Sequence, residues 1–240
     1  HNPALVLSNS LGTNLNMWQS QVDFFKKYFY VICYDTRGHG ASSTPAGPYT
    51  IEQLGNDVIH LLDHLNIEKA SFCGISMGGL IGQWLAINAA QRLNKVIVCN
   101  TAAKIGQEPA WLERAATVRK NGLEHIAATA ALRWFTDGFI QTNPSVVAAL
   151  SRDLAAGCNE GYANCCEALA VEDLREKIAN ISIPLLVVAG QQDPVTTVAD
   201  AQFIVGRVAD SQLFEFDASH ISNIEKPDIF NQAVFEFIQN

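Results

Sequence analysis

A serine set between glycines, in Gly74-Ile75-Ser76-Met77-Gly78, is where residue type and spacing first point to chemistry. The pattern G-x-S-x-G raises a hydroxyl on a sharp turn, and a side chain at Gly74 or Gly78 would clash with the strained backbone there. So short a motif occurs by chance, and its surroundings carry more weight. The apolar run Ala70–Cys73 leads into it and the helical pattern Gly79–Ala90 follows. The serine is therefore expected on a strand-to-helix turn, clear of the sheet. A glycine-rich turn with a bystander serine is the bland alternative, and the strand–turn–helix context argues against it.

A serine hydroxyl is a poor nucleophile without a base, and the base needs a carboxylate to orient it. On such a turn the chain order is serine, then acid, then histidine. Asp193 lies in Gly190-Gln191-Gln192-Asp193-Pro194, just after the buried run Leu185–Ala189. His220 lies in Asp217-Ala218-Ser219-His220, just after Leu213–Phe216. Both then fall on the sheet edge that carries Ser76. Asp200, Asp210 and Asp217 are rivals. The first two lie in or after a helix on the wrong side, and Asp217 ends the strand leading to the histidine itself. Asp193 is the expected acid.

The remaining histidines have plainer readings. His60 and His64 stand four apart on a helix, as metal ligands can. Their segment, His60-Leu61-Leu62-Asp63-His64, lacks the glutamate of a zinc-protease helix, and a solvated face explains it better. His39 lies in a turn after a strand, where it shapes the loop rather than reacts. His1 and His125 carry no signal. Of the six cysteines, Cys33, Cys73 and Cys99 sit in apolar strand-like runs, where cysteine acts as a small hydrophobe. Cys158, Cys165 and Cys166 form no C-x-x-C pair. Reduced thiols and a cytoplasmic location are expected, with zinc a remote alternative.

These candidates need a frame to hold them. Ala4–Ser8, Tyr30–Tyr34, Ala70–Cys73, Lys95–Cys99, Leu185–Ala189 and Leu213–Phe216 are short apolar runs without polar alternation. That suits strands buried on both faces of a parallel sheet. Helical patterns separate them over Trp18–Phe29, Ile51–Leu65, Gly79–Ala90, Val198–Val208 and Phe230–Ile238. The alternation predicts an open α/β sheet with helices on both faces. From about Glu108 to Asn180 the rhythm breaks into helix alone, punctuated by Gly122, Gly138, Pro144 and Gly157. The expected organisation is a core of residues 1–107 and 181–240 with a helical cap, 108–180, over the sheet's C-terminal edge. Open α/β sheets bind ligands at that edge.

Composition narrows the partners. The 240 residues are 48% hydrophobic and 17% charged, which excludes a disordered chain. Sixteen Lys and Arg against 24 Asp and Glu give a net charge of −8, so phosphate backbones and anionic membranes are disfavoured. No apolar run approaches the roughly 20 residues of a membrane span. The start has no basic patch followed by an apolar core, so no signal peptide is expected. Position 1 is not methionine, and the residues look like a chain missing its natural start. Oligomeric state is left open.

Several stretches together resemble the 3-oxoadipate enol-lactone hydrolases of bacterial aromatic catabolism, within the α/β-hydrolases. They are Asn9-Ser10-Leu11-Gly12-Thr13, Tyr34-Asp35-Thr36-Arg37-Gly38-His39-Gly40-Ala41-Ser42 and Phe72-Cys73-Gly74-Ile75-Ser76-Met77-Gly78-Gly79. Cys99-Asn100-Thr101-Ala102-Ala103-Lys104-Ile105-Gly106, Arg133-Trp134-Phe135 and His220-Ile221-Ser222-Asn223 complete the likeness, which spans nearly the whole chain. One departure is expected, since the family usually carries a β-hairpin ahead of Ala4. The turn and triad are general to α/β-hydrolases. The Asn-Ser loop, the run from Cys99 and His-x-Ser-Asn are more specific.

The resemblance implies an α/β-hydrolase fold and a five-membered enol-lactone substrate bearing an acetate arm, opened to 3-oxoadipate without metal or cofactor. A tetrahedral intermediate needs an oxyanion hole. Its donors are expected to be the N–H groups of Met77, after the nucleophile, and of Leu11. Many α/β-hydrolases carry His-Gly where Asn9 and Ser10 stand. A carboxylate-bearing substrate asks for a cation near the cap. Arg133 is the first choice, with Trp134 as a flat wall and Lys104 as the second cation. The plain alternative leaves Arg133 on the surface and Trp134 in the core. Rival readings keep the triad but change the task, to a general carboxylesterase, a haloperoxidase-like perhydrolase or a slow-turnover small-molecule receptor. Carbon–carbon bond hydrolases share keto–enol substrates. Haloalkane dehalogenases are excluded, because their nucleophile is aspartate and this turn carries Ser76.

Overall fold

The computed structural model describes residues 2–240 and leaves His1 outside. Six strands form one parallel sheet: β1 (Ala4–Ser8), β2 (Tyr30–Cys33), β3 (Ala70–Ile75), β4 (Leu93–Cys99), β5 (Leu185–Gly190) and β6 (Ser211–Phe216). Their order is β2-β1-β3-β4-β5-β6, with every neighbouring pair parallel. The predicted runs all become strands: the first keeps its bounds, the second ends one residue early at Cys33, and the other four are one or two residues longer. Burial on both faces holds for the central strands β1, β3 and β5, which are wholly buried. It fails at the rims, where β2 and β6 each lack a neighbour on one side and are largely part-exposed.

Helices flank the sheet: α1 (Gln19–Phe25), α2 (Ile51–His64), α3 (Met77–Asn88), then α4 (Glu108–Asn121), α5 (Glu124–Trp134), α6 (Asp137–Thr142), α7 (Pro144–Ala155) and α8 (Asn159–Val171). After β5 come α9 (Val198–Val205), α10 (Ser222–Glu225) and α11 (Pro227–Gln239). Thr50 and Gln53 close a capping box that starts α2. The expected helix over Trp18–Phe29 is shorter. A 3-10 turn, Leu15–Trp18, precedes α1, and Tyr28 and Phe29 turn back onto the Phe25 carbonyl. The apolar run there serves helix, turn and strand in succession, so its periodicity is ambiguous. Helix α3 starts at Met77, two residues early, because the turn at Ser76 leads straight into it.

Because all strands run the same way, the segments after β1, β3, β4, β5 and β6 emerge on one edge. Helices α4 to α8 lie between β4 and β5 in sequence, with α4 packed on α8 and α5 on α7. Leu174, after α8, donates its N–H to the Ala103 carbonyl at 2.8 Å, tying the block to the loop after β4. Among the described residues no helix is long and apolar enough to cross a membrane.

Helix α8 meets the loop after β2 backbone to backbone. A Cβ on Gly161 would overlap the Gly38 carbonyl, and one on Gly38 would overlap Gly161. Alanine in a helix normally stabilises by about 1 kcal/mol over glycine. Here Gly161→Ala should instead lower stability by about 1–3 kcal/mol through overpacking at that seam. A thermal melt checks the sign, and a raised Tm contradicts the close approach.

Candidate active site

The turn at Ser76 is strained in the way a nucleophile turn requires. Ser76 has φ 57° and ψ −115°, a left-handed region that non-glycine residues rarely occupy. Three hydrogen bonds hold it there. Its N–H donates to the Cys99 carbonyl at 2.9 Å, and its carbonyl accepts from Thr101 Oγ1 at 2.8 Å and from the Leu80 N–H at 3.0 Å. A Cβ on Gly74 would strike the Gly78 carbonyl, and one on Gly78 would strike that of Ser8, so both glycines permit close passage of backbone.

Asp193 and His220 follow the ends of β5 and β6. His220 Nδ1 donates to Asp193 Oδ2 at 2.8 Å, which leaves Nε2 as the ring's free acceptor. Asp193 accepts four further bonds. Val195 and Thr196 N–H reach Oδ1 at 2.8 and 3.1 Å, while Thr196 Oγ1 and Asn100 Nδ2 reach Oδ2 at 2.9 and 3.1 Å. Burial alone would raise this carboxyl, but the His220 charge and hydrogen bond, with the Val195 and Thr196 N–H groups, outweigh it and hold it below the usual carboxylate value. Such a carboxylate orients the imidazole and stabilises its protonated form.

Ser76 and His220 line one small cavity of about 190 Å³ with Ser10, Leu11, Arg133 and Trp134. A larger open groove, about 1180 Å³, runs past α6 and α7 and touches neither Ser76 nor His220. The N–H groups of Leu11 and Met77 donate to no group among the described residues, so both are available to an oxyanion beside Ser76. The loop holding Leu11 is fixed from several sides. Asn9 Nδ2 donates to the Tyr34 carbonyl at 2.9 Å, Asn9 Oδ1 accepts from Trp18 Nε1 at 2.9 Å, and the Asn9 carbonyl accepts from the Gly78 N–H at 3.1 Å. The Gly12 N–H donates to His39 Nε2 at 3.0 Å.

The chain matches the family described as the alpha/beta hydrolase fold over residues 3–227. It is 64% identical to 3-oxoadipate enol-lactonase 2 of Acinetobacter baylyi, over 97% of this chain and 87% of that one. Identity to 3-oxoadipate enol-lactonase 1 of the same organism is 48%, over 99% and 89%. The crystal structure of the enol-lactonase from Burkholderia xenovorans superposes with a TM-score of 0.98 at 45% identity, over 100% of this chain and 92% of that one. The chain belongs to the 3-oxoadipate enol-lactonase family of alpha/beta hydrolases. It is an enzyme, a hydrolase of ester bonds.

Within this family frame the expected substrate residues divide. Arg133 and Trp134 line the cavity. Lys104 does not. Its Nζ faces Asp173 at 3.7 Å, so an acid of this chain already takes its charge. Sequence reading also passed over Asn100, Glu225 and Arg114. Asn100, at φ 45°, ties the Asp193 and His220 loops together through Oδ2 of Asp193 and the Ser219 carbonyl. Its place at the C-terminal end of β4 was the available signal. Glu225 accepts from the Ser219 N–H at 2.9 Å and from the Thr136 hydroxyl, while the Ile221 N–H donates to the Trp134 carbonyl at 2.9 Å. The loop bearing His220 is thus pinned to the end of α5. No spacing in the sequence announces that pairing. His60 and His64 lie exposed on α2.

His39 titrates in a direction that matters. Burial holds its ring below the ordinary 6.5, outweighing the Arg37 carbonyl and the Asp35 charge. The unfolded chain therefore takes up this proton more readily than the folded one. The stability it contributes is full above about pH 6.5 and is lost as pH falls through the folded value. Protonation would also turn Nε2 from acceptor to donor and break its bond to Gly12. Urea unfolding at about pH 7.5 and 5.5 should show wild type losing more stability than His39→Asn, and equal losses contradict this role.

Proposed function

We propose that this enzyme opens 3-oxoadipate enol-lactone to 3-oxoadipate, the lactone-hydrolysing step of the β-ketoadipate route through which bacteria degrade aromatics. The observation that carries the reading is that Ser76 and His220 open into one small cavity whose wall also holds an arginine, Arg133, with no carboxylate partner among the described residues. The identity to enol-lactonases supports the substrate class.

Ser76 Oγ bonds to the lactone carbonyl carbon as its proton passes to His220 Nε2. Asp193 favours that transfer, because its charge stabilises the imidazolium. The carbonyl electron pair moves onto oxygen, where the Leu11 and Met77 N–H groups receive it. When the carbonyl re-forms, the ring C–O bond breaks and its electron pair stays on the enol oxygen. That oxygen takes the proton from His220 and the enol becomes a ketone, still joined to Ser76 through the acyl chain. Water, deprotonated by His220, then attacks the acyl carbon, and Ser76 Oγ leaves with the proton. One water is consumed, and the new carboxylic acid ionises.

Arg133 takes the substrate carboxylate, where its planar fork offers two parallel hydrogen bonds. Trp134 gives the ring a flat wall. A helical cap over 108–180 closes the cavity from above. A cytoplasmic location fits six free thiols and a substrate made inside the cell.

Loss of freshly generated lactone, followed in the ultraviolet beside p-nitrophenyl acetate, tests this directly. Wild type should consume the lactone fast and the ester feebly, and Ser76→Ala should lower lactone turnover by about 10,000-fold or more. Efficient ester cleavage without lactone turnover contradicts the substrate, and an active Ser76→Ala contradicts the nucleophile.

A further inference from the structure

The cavity carries one cation more than a single carboxylate needs. Arg114, on α4, lines it together with Arg133, on α5. Neither guanidinium lies within 4.0 Å of any carboxylate among the described residues. Arg119 shows what this chain does with an arginine meant only for structure, since Glu160 and Glu167 hold it at 3.0 and 2.6 Å. Arg133 is held by neutral groups alone, Thr129 Oγ1 at 3.0 Å and the Ile126 carbonyl at 3.4 Å. Arg114 stacks over the Trp111 ring, 4.9 Å from its centroid. Burial, and then the Arg114 charge, pull Arg133 below its ordinary value, so the two groups repel across a partly apolar space. Tyr162 beside them does not neutralise either, for burial pushes its phenol up to about 12. Two unpaired cations facing one small cavity are costly unless the ligand brings matching negative charge.

Resting on the lactonase reading, we infer that Arg114 and Arg133 together form the subsite for the leaving half of the substrate. One positive charge matches the carboxylate. The other matches the enol oxygen, which gains an electron pair as the ring C–O bond breaks and before it takes the His220 proton. Charge that appears only in the transition state is where a fixed cation contributes most to rate. A neutral ester with a compact acyl group makes no such demand. Arg114 thereby sets specificity for lactones whose enol and carboxylate lie on the same side of the reacting carbonyl.

The test compares wild type, Arg114→Met and Arg114→Lys, each first checked for an unchanged melt. Kcat and KM are measured on the lactone and on p-nitrophenyl acetate, with inhibition of ester cleavage by adipate as a second readout. Arg114→Met should lose about tenfold or more in lactone kcat/KM, part of it in kcat, and far less on the ester. Adipate inhibition should weaken with it. Arg114→Lys keeps the charge without the fork and should fall between. Lactone and ester falling equally, or lactone kcat/KM and adipate inhibition both within about threefold of wild type, overturns the subsite. Wild type that ignores the lactone while adipate inhibition still depends on Arg114 overturns the lactonase reading and leaves the anion subsite standing.

Discussion

The strained backbone at Ser76 is the constraint on which the other features depend. A serine at φ 57° costs about 1–3 kcal/mol and persists only where its surroundings over-determine it. Here the end of β4, through Cys99 and Thr101, and the first turn of α3 supply the bonds that do so. The same turn needs glycine at 74, where the Gly78 carbonyl passes too close for a side chain, and at 78, where the end of β1 does. That closeness brings the Asn9 carbonyl onto the Gly78 N–H and sets the Leu11 loop beside Met77. The proposed nucleophile and the proposed oxyanion donors are thus products of one packing arrangement.

Electrostatics divide the molecule between its surface and its site. The chain carries a net charge of −8, which repels an anionic substrate at long range. Inside the cavity the sign reverses, because Arg114 and Arg133 face it with no ion-paired acid among the described residues. Opposite them Asp193 is held ionised by His220 and by backbone N–H groups, with its charge directed at the imidazole rather than the ligand. Glu225 joins the loop of His220 to the segment after α5, so that loop is tied directly to the wall bearing Arg133 and Trp134.

Much of this was legible in the residues. Strands on the buried sheet are short and apolar, and loops at their C-terminal ends had to share an edge, which brings Ser76, Asp193 and His220 together from positions far apart in sequence. The helix ahead of β2 was overestimated, because aromatic residues from Phe24 to Tyr30 fit helix, turn and strand alike. Lys104 stood as the second cation after Arg133, and only the fold reveals Asp173 beside it. Arg114 carried a signal that went unread. No acid stands three or four residues away from it on α4, so it has no helical partner to neutralise it. Asn100 was marked only by its place at the end of β4, and Glu225 acts through a contact between distant segments that no local pattern encodes.

The proposed reaction depends on Ser76 as its one reacting nucleophile. Titration with a fluorophosphonate, followed by peptide mass analysis and by residual turnover of the lactone, tests that claim directly. The expected result is one label per chain, on Ser76, with lactone turnover lost in proportion to labelling. Label on another residue, or lactone turnover that survives complete labelling of Ser76, would contradict it.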